Sequence, residues 1–86
     1  MLLNVNTQGE STARYENIIV YGKLVKWGKG YTLELDAART NTHRGAMGKK
    51  QKETANILKA NLKARIHNQM VEDGFTCTND NYYIKL

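Results

Sequence analysis

Hydrophobic and polar positions along this chain change period several times, and each change marks an element. Asn17 to Trp27, NIIVYGKLVKW, is dense in β-branched and aromatic residues and predicts a strand, with Gly22 as a candidate bulge. Gly28-Lys29-Gly30 then supplies a three-residue hairpin loop, because glycine accepts the positive φ such a loop requires. YTLELD follows and alternates cleanly: Tyr31, Leu33 and Leu35 face one way, and Thr32, Glu34 and Asp36 the other. Met1 to Val5 predicts a shorter strand, and TQGESTA behind it reads as a polar loop.

Beyond Asp36 the pattern breaks. Thr40, Asn41, Thr42, Gly45 and Gly48 predict a loop from Ala37 to Gly48. A helical period runs from about Gly48 to Asp73, with Gly74 suited to the C′ position and Phe75 able to fold back on Met70. Glu72 and Asp73 oppose the helix dipole at that end. FTCT, a turn at Asn79-Asp80-Asn81 and YYIKL predict a second small hairpin. The expected fold is α+β: one long helix packed on a short antiparallel sheet made of hairpins, in a single domain over residues 1–86.

Winding the helix at about 100° per residue, with Lys52 at the origin, sorts its faces. Ala55, Leu58, Leu62 and Ile66 fall within a stripe from about 240° to 320° that packs on the sheet. Lys49, Lys52, Asn56, Lys59, Lys63 and His67 form a cationic ridge beside it, from about 340° to 60°. Ile57, Ala60, Ala64 and Val71 make a second, flatter apolar flank at about 80° to 140°. Two occupants suit that flank: the C-terminal hairpin, through Tyr83 or Ile84, or a second copy of the chain. A thin core of 86 residues favours the homodimer through Ile57, Ala60, Ala64 and Val71, which would join two ridges into one basic surface.

Charge sharpens this picture. The chain carries a net +5, but between Ala38 and His67 eight basic residues meet one acid, Glu53, for a local +7. A lysine row on a helix is ordinarily a solvated face whose stems cover apolar surface. Here Lys59 and Lys63 are like charges four apart with no acid between them, which costs helix stability, and the row continues into Arg39 and Arg44. That clustering points to a polyanion. Gly45, Gly48, Lys49 and Lys50 at the helix start suit a phosphate oxygen, where free N–H groups and the dipole meet it. A Walker A spacing is missing, because Lys50 follows Lys49 and position 43 is His43. Gly45-Ala46-Met47-Gly48 matches the bare GxxG of KH domains without their flanking helices. Tyr21, Lys23, Trp27, Lys29 and Tyr31 offer a rival surface for stacking bases, although aromatics this near a turn more often belong to the core.

Catalysis finds little support. His43 and His67 have no spaced ligand partners, and one cysteine with two histidines is not a zinc pattern. His43 beside Arg44 ranks below simple phosphate contact as a role. No catalytic residue, metal or cofactor is expected. Cys77 is alone and packs as a small apolar residue, which suits a reducing compartment. With no basic n-region at the N-terminus and no long apolar run, a cytoplasmic protein without a membrane span is expected.

YTLELD followed by HRGAMGKKQKETANILKA resembles the last part of double-stranded RNA-binding domains, where a strand pair leads through a glycine-containing basic loop and a Lys-Lys pair into an Ala-rich helix. The resemblance implies phosphate contacts by Lys49, Lys50 and Lys52. The first helix and third strand of those domains have no counterpart, and a C-terminal hairpin is added. In size, charge and composition the chain also resembles small phage early proteins, among them the TifA-like inhibitors of toxin–antitoxin defence, which implies a basic RNA-binding factor that counters a host system. The expectation is therefore a nucleic-acid-binding protein, RNA ahead of DNA, with contacts from Arg39, Arg44, Lys49, Lys50, Lys52, Lys59, Lys63 and His67. The alternative is an inhibitor that docks this ridge on an acidic host protein.

Overall fold

A computed structural model describes residues 1–39, 48–79 and 81–85. Six strands and one helix follow in the order β1 (Leu2–Asn4), β2 (Glu10–Tyr15), β3 (Ile18–Trp27), β4 (Gly30–Arg39), α1 (Lys49–Glu72), β5 (Phe75–Asn79) and β6 (Tyr82–Lys85). The strands form one antiparallel sheet in the order β1-β2-β3-β4-β6-β5, and α1 packs across one face of it. The architecture is the α+β fold that the periodicities predict, built of hairpins.

Register separates the two faces. Val20 pairs with Ala13 and Ala37, Gly22 with Ser11 and Leu35, and Leu24 with Leu33, so these residues share the helix side. Leu58, Leu62, Ile66 and Met70 of α1 close over Ala13, Ile18, Val20 and Leu33, with Ala55 at one end and Tyr83 joining from β6. This is the stripe expected from the helical period, extended by Met70. Gly22 is not a bulge, for β3 pairs without interruption from Ile18 to Trp27. A Cβ at that position would stand 3.0 to 3.2 Å from Leu35, Ile66 and Leu62, so the glycine lets the helix approach the sheet.

Three expected boundaries move. Half of the segment read as a polar loop is strand β2: Ser11 and Ala13 point inward beneath the helix, and their small size hides the alternation. Ser11 is buried because it accepts the Asn6 N–H at 2.7 Å and donates to the Asn6 carbonyl at 3.2 Å. Ala37, Ala38 and Arg39 continue β4 where a loop was expected, and residues 40–47 of that loop lie outside the described residues. The hairpin loop after β3 has two residues rather than three. Trp27 pairs with Gly30, and only Gly28 of the loop takes a positive φ (61°), the pattern of a type II′ turn.

The helix ends as its sequence predicts. Gly48 is the N-cap and its N–H donates to Gln51 Oε1 at 3.1 Å, half of a capping box. Gly74 takes φ 97° after the C-cap Asp73, and its N–H donates to the Val71 carbonyl. Hairpin β5–β6 joins the main sheet through β6, with Gly30 opposite Ile84 and Tyr31 opposite Tyr83. Asp80, within the expected turn of that hairpin, lies outside the described residues.

Candidate functional site

The C-terminal half of α1 forms one wall of a shallow groove, where the ridge residues Lys63 and His67 meet Ala60 and Ala64 of the apolar flank, and hairpin β5–β6 forms the other. Lys63 and His67 line it from α1, with Cys77 and Thr78 from β5 and Asn81 from the turn. Lys59 and Lys63 are half-buried, while Lys49, Lys52 and Lys50 are exposed near the helix start. Lys50 lies about 160° around the helix from Lys52, so it stands apart from the ridge proper.

Basic residues outnumber acids along this face of α1. No ion pair holds Lys49, Lys50, Lys52, Lys59 or Lys63 among the described residues. Glu34 and Asp36, the acids nearest in sequence to the basic segment, alternate with the buried Leu33 and half-buried Leu35. They therefore project from the face of the sheet opposite α1. Glu34 is there set beside Lys23, which in turn faces Glu10. Glu16 sits in the β2–β3 turn. The helix itself holds only Glu53 along the ridge's length, with Glu72 at its far end.

His67 is fixed in place rather than loosely exposed. Its Nδ1 lies 2.8 Å from the Tyr83 hydroxyl, and the two rings are 5.6 Å apart. Tyr83 is wholly buried. Burial, with the neighbouring Cys77 as a secondary cause through its charge and a hydrogen bond, pushes its pKa up to about 12. The hydroxyl thus stays protonated across the physiological range. Cys77 is a half-buried thiol, in no disulfide, opposite Tyr83 in the β5–β6 pair. Asn81 Oδ1 is buried without a hydrogen-bond partner among the described residues.

The remaining predicted residues divide. Arg39 ends β4 on the helix side, half-buried and already engaged. Arg44 lies outside the described residues, as do Gly45 and His43. The apolar flank is not covered by the hairpin: Ile57 and Val71 are 57% and 50% exposed, and Tyr83 packs at His67 instead. The rival aromatic cluster splits across the sheet. Tyr31 is on the helix side, edge-on to Phe75 at 5.9 Å, whereas Tyr21 and Trp27 are on the open face. Trp27 is 70% exposed and so does not belong to the core. Tyr82, which sequence reasoning passed over, lines the groove and touches Trp27. Only the pairing of β6 with β4 reveals it, and that contact is remote in sequence.

Among the described residues there is no cluster of three or more His, Cys, Asp or Glu side chains, and no helix long and apolar enough to cross a membrane. Comparison with protein-family models, curated proteins and solved structures finds no match to this chain.

Proposed function

We propose that the protein binds nucleic acid, RNA ahead of DNA, through phosphate contacts along the basic side of α1. One observation carries the reading: the helix lysines have no ion-pair partner among the described residues, Glu53 is the one acid interspersed with them on α1, and Glu34 and Asp36 face away across the sheet. A row of cations held this way repels itself, and neutralisation by a polyanion relieves that cost. Lys49, Lys50, Lys52, Lys59 and Lys63 supply contacts, Arg39 and Arg44 extend them, and His67 closes the row. Sequence preference is low, because phosphate contacts position a ligand without reading bases. The resemblance in size and charge to small phage RNA-binding inhibitors agrees with this reading.

The exposed flank beside the ridge supports a second copy as partner, through Ile57, Ala60, Ala64 and Val71. The same exposed Ile57 and Val71 favour, as a second reading, docking on an acidic protein surface with the flank as its apolar component. Purification without nuclease, followed by size exclusion with light scattering, separates these outcomes. We expect co-purifying RNA, a dimeric protein mass, and loss of the RNA in Lys59→Glu/Lys63→Glu with an unchanged circular dichroism spectrum. Nucleic-acid-free protein that keeps a bound polypeptide after nuclease treatment would favour the protein-docking reading instead.

A further inference from the structure

We infer that Trp27 and Tyr82 form a stacking platform for an unpaired base, making single-stranded nucleic acid the preferred ligand of the groove. The inference rests on the nucleic-acid reading above and names its substrate class. Four observations support it.

Trp27 leaves 70% of a large aromatic side chain in water at the end of β3, on the face that α1 does not cover. Such exposure gives up burial energy that a tryptophan ordinarily supplies to a core. The ring is nevertheless placed. Its centroid lies 6.3 Å from that of Tyr82 at 87°, and the Tyr82 hydroxyl donates to the Trp27 carbonyl at 3.0 Å. Gly30, the cross-strand neighbour of Trp27, forms the floor beneath Tyr82. A Cβ there would collide with the Tyr83 carbonyl and Ile84, and would press the Tyr82 ring at 3.1 Å.

The platform is continuous with the ridge. Strand β6 accompanies β4 only from Gly30 to Thr32, after which the Asn81 carbonyl accepts the Leu33 N–H and the hairpin turns away. The groove uses the opening past that turn. Its lining runs from Lys63 and His67 on the helix side to Thr32 and Tyr82, whose side chains belong to the open face. A backbone that meets Lys63 in the groove therefore arrives beside Tyr82, whose ring lies edge-on to Trp27.

Charge also suits this end of the sheet. Lys29 stands two residues from Trp27 in the turn, while Glu34 lies four residues along β4 from Gly30, roughly 13 Å away, with Lys23 directly opposite it. In a duplex each base is already stacked and paired, so its face cannot reach an indole set beside the groove. An unpaired base can, and stacking on an aromatic tolerates any base.

Trp27 is the only tryptophan, so its fluorescence reports the platform alone. The probes are an RNA of about 15 nucleotides, within the range that single-strand sites span, and the same sequence as a blunt duplex. Expected are quenching by the single strand, little change with the duplex, and a roughly 5- to 150-fold weaker single-strand affinity in Trp27→Ala. Duplex affinity should not move in that variant, and Trp27→Phe should retain most single-strand binding. Equal binding of both forms, unquenched and indifferent to Trp27→Ala, would overturn the platform and leave the phosphate-binding reading standing. Failure of both RNAs to bind the wild type would overturn both.

Discussion

Gly22 shows how closely the fold is tuned at the level of one residue. It lies mid-strand in β3, under the crossing of Leu62 and Ile66, where an added methyl would stand 3.0 to 3.2 Å from the side-chain ends of Leu35, Ile66 and Leu62. Gly22→Ala adds strand propensity but needs three packed side-chain ends to give by a few tenths of an ångström, and where the core resists, overpacking costs about 1–3 kcal/mol. A urea titration should show that loss as a lower midpoint with an unchanged m-value. An unaltered midpoint would mean that the helix sits farther from the sheet. The sequence marks position 22 as unusual without saying why, because a bulge and a close helix approach both favour glycine. Trp27 was illegible for a related reason. Ile18 and Ile19, like Val20 and Tyr21, place apolar residues on both faces of β3, so alternation does not reveal which face the tryptophan takes. The side of buried Val20 and half-buried Leu24 decides it only once α1 is seen to cover that side.

The elements differ in how openly the chain announces them. Helix α1 and the β3–β4 hairpin follow from period and glycine placement alone, since each has a large apolar stripe and a marked end. Strand β2 does not, because ESTARY turns only Ser11 and Ala13 beneath the helix and its outward residues are polar. The position of β6 beside β4 depends on a pairing some fifty residues apart, such as Gly30 with Ile84, for which the local sequence holds no signal. Within α1 the charges run against the dipole at both ends: no acid in the first turn, no base in the last, and Lys49 and Lys50 at the positive end. Each such charge costs about 0.3–1 kcal/mol, so the arrangement is poor for stability and suited to an anion. Lys49→Glu/Lys50→Glu should therefore stabilise the free protein by roughly 1–2 kcal/mol while weakening RNA binding. A variant that loses stability, or that gains it with binding intact, would separate these lysines from the ligand.

At the scale of the molecule, the sheet divides the charge. One side carries α1 with its unpaired lysines; the other sets Glu10 and Glu34 about Lys23, with Asp36 nearby. The ridge was legible as a periodicity before any coordinate, because 3.6-residue spacing places Lys49, Lys52, Lys59 and Lys63 together whatever the sheet does. That Glu34 and Asp36 turn away, and that the hairpin supplies the far wall of a groove, depends on strand register and is visible only in three dimensions. The central claim is that this ridge neutralises phosphates. Its most direct test is the affinity for single-stranded RNA as a function of salt. With six or so contacts, log Kobs should fall against log salt with a slope of about −4, and Lys59→Glu/Lys63→Glu should flatten that slope by at least about 1.4. A slope near zero, or one that the double reversal leaves unchanged, would contradict the account.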